Sequence, residues 1–236
     1  MAARIVVVED DPAIGTGLIG TLRVLGHDTR WCPDGESALD TVTRRPAELL
    51  LVDLGLPDID GFALCRRLRE RAPDAVLVVL TARTAEMDVI QALECGADDY
   101  LTKPFRLAEL QARVSAHLRR AAPGEHEGPT RIRLGPLLID RTARRCTTAT
   151  RGEVPLRPRE FDLLVRLALG AGQAVSREEL MNDVWDENWF GPTKTLDVHV
   201  AALRRKLGDL VRITTLRQFG YRLEPPGTPT GPPAGP

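Results

Sequence analysis

Several acids, a hydroxyl and a lysine fall where one pocket could collect them. Glu9, Asp10 and Asp11 follow the apolar run Ile5-Val6-Val7-Val8, Asp53 follows Leu49-Leu50-Leu51-Val52, and Thr81 ends Val76-Leu77-Val78-Val79-Leu80. Lys103-Pro104 closes a further strand-like stretch. If these runs are parallel strands, their C-terminal ends share one edge, where such folds place their working groups. Carboxylates gathered there repel one another unless a cation sits among them, and hard oxygen ligands with spare water positions favour Mg2+. A carboxylate in such a site is a competent nucleophile that forms an aspartyl phosphate. A metal and a lysine then neutralise the charge building on the phosphoryl oxygens, and a hydroxyl donates to one of them. Asp53 is the best nucleophile candidate, being central and followed by Leu54-Gly55-Leu56-Pro57 with no competing acid. Singly, a strand-end Asp is usually a helix cap and a Lys-Pro usually a turn; together, at successive strand ends, coincidence is improbable.

The elements that must position these groups are legible in the hydrophobic pattern. The apolar runs are continuous, as strands buried on both faces require. Between them lie amphipathic stretches at 12–26, 60–72, 84–95 and 107–120. In one, Phe62, Leu64, Cys65 and Leu68 recur at helical spacing opposite Arg66, Arg67, Arg69 and Glu70. Repeated strand–helix units imply a parallel sheet with helices on both sides. The pattern stops at 122–130, where Pro, Gly and charge without apolar periodicity read as a linker between a domain at 1–121 and another at 131–224. The second domain begins with short β-like pieces at 131–134, 137–139 and 143–147, followed by a helix near 158–169. Ser176 with Glu179 three residues on is a capping-box signature for a second helix. A third runs from Lys194 to Leu207, before strand-like pieces at 211–215 and 220–224. The Pro/Gly/Thr-rich tail, 225–236, is expected to be disordered.

At 236 residues, 43% hydrophobic and 28% charged, the chain suits two ordinary globular domains. No stretch reaches the roughly 20 uncharged apolar residues a membrane helix needs. Met1-Ala2-Ala3-Arg4 runs straight into a strand-like segment, so no signal peptide is expected. Cys32, Cys65, Cys95 and Cys146 form no Cys-x-x-Cys pair, which favours a reduced, cytoplasmic protein over a zinc or disulfide scaffold. The net charge of −1 hides an asymmetry: residues 1–121 hold 15 Lys/Arg against 19 Asp/Glu, a net of −4, and residues 131–236 hold 17 against 12, a net of +5. Residues 193–222, with seven basic side chains against two acidic ones, carry that whole excess. Charge so concentrated points to a polyanion contact rather than to the default, a solvated helix face.

Within 194–207, Leu196, Val200, Leu203 and Leu207 repeat at helical spacing and are expected to face a core. Lys194, Thr195, His199, Ala202 and Lys206 then share or border an outward stripe. Such a helix fits the major groove of double-stranded DNA, with Arg204 and Arg205 adding charge. His199 reads either as a core histidine or as a backbone or base contact, and its place on the stripe favours contact. The following hairpin turn, Leu216-Arg217-Gln218-Phe219-Gly220, sets Arg217 near a tip that can reach a minor groove, with Thr215 beside it.

Residues 1–121 resemble response-regulator receiver domains. The matching elements are Val8-Glu9-Asp10-Asp11, Asp53 with Leu56-Pro57 and Asp60-Gly61, Thr81-Ala82, Gly96-Ala97-Asp98-Asp99-Tyr100 and Lys103-Pro104-Phe105. The resemblance implies an α/β, flavodoxin-like fold with a doubly wound five-stranded parallel sheet. It implies that Asp53 takes phosphate from a sensor histidine kinase, that Glu9, Asp10, Asp53 and the Gly55 carbonyl hold Mg2+, and that Thr81 and Lys103 contact the phosphoryl group. Thr81 and Tyr100 become the switch pair, Asp11 a helix-start residue, and the Lys103–Pro104 bond cis.

Residues 131–224 resemble the α+β winged-helix effector domain of the OmpR/PhoB subfamily. Here the matches are Leu156-x-Pro-x-Glu160-Phe161-x-Leu163-Leu164, Val175-Ser176-Arg177-Glu178-Glu179-Leu180, Val184-Trp185, Thr195-Leu196-Asp197-Val198-His199-Val200, Arg204-Arg205-Lys206-Leu207 and Gly220-Tyr221-Arg222-Leu223. This implies DNA contacts from Lys194, Thr195, His199, Arg204, Arg205, Lys206, Thr215 and Arg217, and a loop at 186–193 that meets RNA polymerase in relatives. It also implies an activated homodimer through the fourth helix, fifth strand and fifth helix of the receiver, with ion pairs Asp99–Arg113 and Asp98–Arg120. Glu109 belongs to the same face, but its basic partner falls on Val89. Ala201 and Ala202 stand where basic residues are frequent, and Gln218-Phe219 replaces small residues at the wing tip, so the target sequence is not transferable.

The chain is therefore expected to be a phosphorylation-dependent transcriptional regulator binding repeated promoter sites, and not an enzyme. The nearest alternative is a phosphorylation-independent transcription factor whose receiver serves as a dimer platform. A Mg2+-dependent phosphatase is disfavoured because such enzymes commonly place a second Asp two residues after the nucleophile, where Gly55 stands. An adaptor using the winged helix for protein contacts alone is disfavoured by the concentrated charge.

Overall fold

The computed structural model describes residues 2–121, 128–185 and 194–225. Most of the expected linker, the 186–193 loop and nearly all of the expected tail lie outside the described residues, as do the side chains of Arg120 and Ala121. The three apolar runs form strands β1 (Arg4–Val8), β3 (Leu49–Val52) and β4 (Val76–Thr81). With β2 (Asp28–Cys32) and β5 (Asp99–Thr102) they make a parallel sheet in the order β2-β1-β3-β4-β5. Alternate strand residues point to opposite faces. Val6, Val8, Leu50, Val52, Leu77 and Val79 share one core with α2 (Gly35–Arg44), α3 (Gly61–Arg71) and α4 (Glu86–Cys95). Ile5, Val7, Leu49, Leu51, Val76 and Val78 share the other with α1 (Pro12–Val24) and α5 (Leu107–Ala121). The chain leaves β1 to one side for β2 and to the other for β3. The crevice at this reversal is the place where open α/β sheets bind ligands.

The second domain opens with an antiparallel sheet of β6 (Arg131–Leu134), β7 (Leu137–Asp140), β8 (Arg145–Thr148) and β9 (Gly152–Glu153). Three helices follow, α6 (Pro158–Leu169), α7 (Arg177–Val184) and α8 (Thr195–Leu207). A second sheet, in the order β10-β12-β11, comprises β10 (Val175–Ser176), β11 (Arg212–Leu216) and β12 (Gly220–Glu224). The capping box read from the sequence is present: Ser176 Oγ accepts from Glu179 N–H at 3.1 Å, and Glu179 Oε2 accepts from Ser176 N–H at 2.8 Å. Leu196, Val200, Leu203 and Leu207 of α8 enter one core with Leu163, Leu164 and Leu167 of α6 and Leu180 of α7. This is the expected α/β domain followed by an α+β winged helix.

Gly61, at the start of α3, lies against the loop that follows β3. A Cβ there would stand 2.4 Å from Leu54 Cα and 2.7 Å from Leu54 O, both backbone-borne and unable to swing away. Gly61→Ala is expected to lower stability by about 1–3 kcal/mol, the usual cost of overpacking. Urea unfolding followed by circular dichroism checks this, and an unchanged midpoint contradicts it.

Candidate functional site

Strand ends meet at the crevice as the sequence requires. Asp11 caps α1, its Oδ1 accepting from Ala13 N–H at 2.7 Å and Ile14 N–H at 3.2 Å, which occupies it structurally. Glu9, Asp10 and Asp53 each place a carboxylate oxygen within 4.8 Å of the others. Lys103 reaches in from the end of β5, its Nζ 2.5 Å from Asp53 Oδ2 and 2.7 Å from Glu9 Oε2. Its peptide bond to Pro104 is cis. Burial raises the Glu9 pKa, only partly offset by the Lys103 ammonium, and nearby Asp53 adds to the rise. Burial acts against the Lys103 charge, but its bonds to Asp53 and Glu9 outweigh that and raise its pKa. Gly55 N–H donates to Asp53 Oδ1 at 3.1 Å. Thr81, at the end of β4, is buried, and Asp10 is exposed. The pocket thus holds a carboxylate nucleophile, a neutralising ammonium and an all-oxygen donor set suited to a hard divalent cation.

Tyr100 of β5 is fully buried, and its hydroxyl donates to Arg83 O at 2.7 Å. Burial pushes the phenol up to about 12, with Asp88 reinforcing the effect. The segment following Thr81 is therefore tied to β5 through this bond.

The face formed by α4, β5 and α5 is covered by the second domain. Val198 of α8 packs against the first domain's core, and Ala201, Ala202 and Arg205 line a cleft with Ile90, Leu93 and Glu94 of α4. Arg157, at the N-cap of α6, donates from Nη1 to Leu93 O at 2.8 Å and from Nη2 to Glu94 O at 3.1 Å. Those carbonyls belong to the last turn of α4, where helices lack internal donors. Trp185 Nε1 donates to Asp98 O at 3.1 Å, and its ring meets His199 edge-on at 5.0 Å. Arg159 of α6 bonds His117 of α5, whose Nε2 lies 3.1 Å from Asp99 Oδ2. At the rim, Lys194 approaches Glu86 at 3.3 Å.

Residues 5–115 match the family described as response regulator receiver domain, and residues 151–223 match that described as transcriptional regulatory protein, C terminal. The transcriptional regulatory protein AfsQ1 of Streptomyces coelicolor is 40% identical over 227 residues, covering 94% of this chain and 98% of that protein. DNA-binding response regulator MtrA of Mycolicibacterium smegmatis is 40% identical over 231 residues, covering 96% and 99%. Among solved structures, DrrB, a Thermotoga maritima OmpR/PhoB homologue, is 29% identical with a TM-score of 0.51, covering 95% of this chain and 100% of that one. The chain belongs to the OmpR/PhoB family of response regulators. It is a transcriptional regulator of two-component systems, with a receiver and a winged-helix DNA-binding domain; such regulators pair with sensor kinases and bind DNA.

In this response regulator the charges expected to bridge two receivers are engaged within one chain. Asp98 is buried and pairs with Arg69 at 2.6 Å, and its Oδ2 also accepts from Leu77 N–H at 2.9 Å; its expected partner Arg120 has its side chain outside the described residues. Burial works against its charge; Arg69 and that N–H overcome it and hold the carboxyl below its ordinary range. Asp99 pairs with Arg113 at 3.0 Å and is held low in the same way, Arg113 and His117 outweighing burial. Glu109 does have a basic partner, Arg113 one turn along α5 at 3.0 Å. That pair lies within one chain; the partner expected for Glu109 across the receiver dimer still falls on Val89, which carries no charge.

The DNA-facing stripe is also revised. Thr195, His199 and Ala202 are buried rather than outward, His199 between Trp185 and the Thr195 carbonyl, to which its Nδ1 lies at 2.8 Å. Arg204 is exposed but donates to Ile213 O at 2.9 Å and to Thr215 Oγ1 at 2.7 Å, tying α8 to the wing. Lys206 pairs with Glu160 at 2.5 Å. Arg205, Thr215 and Arg217 are exposed, and Lys194 is half-buried at the domain junction. His117, Arg157 and Arg159 were not singled out from the sequence, and no periodicity marks them. Trp185 was read only as part of the effector motif. Arg157→Ala removes both bonds to the end of α4. Hydrogen exchange at Gly96 and Ala97 is expected to quicken through a loosening of about 1–3 kcal/mol; unchanged exchange contradicts this.

Proposed function

We propose that this regulator accepts a phosphoryl group on Asp53 from a sensor histidine kinase, and that phosphorylation converts a closed monomer into a dimer that binds repeated promoter sites. The observation that carries this reading is the crevice in which Lys103 holds Asp53 beside two further acids, with Thr81 at the adjacent strand end. An Asp53 oxygen attacks the phosphorus of the kinase's phosphohistidine. The new P–O bond forms as the P–N bond breaks, and the electron pair stays on the departing imidazole. Lys103 and Thr81 then offer donors to the phosphoryl oxygens. Glu9, Asp10, Asp53 and the Gly55 carbonyl would hold Mg2+, which when bound neutralises phosphoryl charge. The chain serves as substrate and switch rather than as an enzyme acting on other molecules.

Closure supplies the regulation. The receiver face expected to form the dimer and the α8 face expected to meet DNA cover each other, so dimerisation and full DNA contact both require the domains to part. Arg205, Thr215 and Arg217, with Lys194 once freed from Glu86, then meet DNA. In this reading the loop at 186–193 meets RNA polymerase, and the protein works in the cytoplasm, where DNA and polymerase are. Phos-tag electrophoresis after acetyl phosphate and Mg2+ is expected to retard the wild type and not Asp53→Ala. Equilibrium ultracentrifugation of the same samples is expected to show a doubled mass only where the band shifts. An unshifted wild type that is folded and binds DNA supports the phosphorylation-independent alternative.

A further inference from the structure

His117 sits in the middle of the domain junction, buried, with charged groups on every side. From β5 it faces Asp99, at 3.1 Å from Nε2, and Asp98 beyond it. On its own helix Arg113 holds Asp99 and Glu109. From the DNA-binding domain Arg159 of α6 reaches its Nδ1, and Arg159 is itself fixed by Asp162 at 3.0 Å and Val184 O at 2.9 Å. A guanidinium has donors and no acceptor, so the ring nitrogen it bonds must carry a lone pair. The hydrogen-bond network therefore assigns His117 as the neutral tautomer, with its proton on Nε2 directed at Asp99.

We propose that His117 is a proton-sensitive latch: the closed arrangement admits only its neutral form, so acidification releases the DNA-binding domain from the receiver without phosphorylation. A proton added at Nδ1 removes the acceptor that Arg159 uses and sets an imidazolium against a guanidinium in a site closed to water. In the parted arrangement Arg159 leaves with its domain, while Asp99 stays beside the ring and welcomes its charge. Burial, then Arg159, hold His117 down to about 4 in the closed form, against the opposing pull of Asp99. The sign follows from that depression. The contribution to closure is complete above the ordinary histidine value of about 6.5 and is lost as pH falls from there toward about 4. Between pH 7.5 and 6.0 the open-to-closed ratio rises about fourfold from this one group. His199 lies at the same junction; burial lowers its pKa as well, against the Thr195 carbonyl, Asp98 and Glu160, so it acts in the same direction.

The consequence for DNA binding rests on the function proposed above; the latch does not, and its test uses no phosphoryl donor. The Trp185 indole N–H, bonded to Asp98 O across the junction, reports parting directly through its exchange with solvent by NMR. In the full-length protein, its protection corrected for intrinsic exchange is expected to fall about fourfold from pH 7.5 to 6.0. In His117→Asn, whose amide oxygen can still accept from Arg159 and which does not titrate, the fall is expected to shrink below twofold. An equal fall in both proteins overturns the proposal. NMR titration of the His117 ring in the wild type is independent of how well any variant folds. A midpoint well below 6.5 supports the latch, and one at or above 6.5 overturns it.

Discussion

Three carboxylates cannot share a crevice in this fold without a cation, and the strand ends are arranged around that repulsion. Lys103 is the cation the chain itself supplies. Its reach depends on the register that pairs Thr102 with Thr81 and on the β1–β3 pairing that sets Asp53 beside Glu9. The same short strand carries the groups that meet the other domain. The Asp98 carbonyl accepts from Trp185, Asp99 holds His117, and Tyr100 bonds the chain beyond Thr81. Within six residues, Asp98 to Lys103, the acidic pocket and the domain junction are one mechanical element. Because successive strand residues point to opposite faces, Asp99 looks toward α5 and Tyr100 toward α4.

Much of this was legible in the sequence where burial on both faces left continuous apolar runs. β1, β3 and β4 announce themselves, and the acids that follow each strand place the pocket. β2 does not, because as an edge strand it exposes Asp28 and Arg30 and has no continuous run to read. β9 and β10 are two-residue strands, too short for any periodicity to register. The helix of 194–207 was found with its core face correct, since Leu196, Val200, Leu203 and Leu207 face their own domain. What the helical repeat cannot report is what covers the remaining faces. Ala202 lies on the stripe expected to face DNA and is buried in the cleft with α4. The partner of Asp98 was beyond reach for a related reason. Arg69 lies on α3, and nothing in spacing distinguishes it from the solvated arginines beside it.

The kind of contact at the junction bears on how it can switch. Among the described residues its direct polar contacts include two bonds from Arg157, one from Trp185, the Arg159–His117 bond and a rim pair at Lys194 whose exposure leaves it little weight. A buried hydrogen bond lost with its partner left unsatisfied costs about 1–3 kcal/mol. Shifting a two-state equilibrium from 1:99 to 99:1 takes about 5.5 kcal/mol. About two to six such contacts must therefore be weakened together, and scattered local changes would not accomplish it. One segment can, because the Asp98 carbonyl meets Trp185 and Asp99 holds His117, which meets Arg159, while Lys103 at the other end answers to the charge state of Asp53. In the proposed mechanism a phosphoryl group at Asp53 redirects Lys103 from one end of this segment, and a proton on His117 acts from the other. Each favours the open form through its own contacts, so their effects on the ratio of open to closed multiply. In that proposal a weak phosphorylation signal and mild acidification reinforce one another, because each removes contacts the other leaves in place.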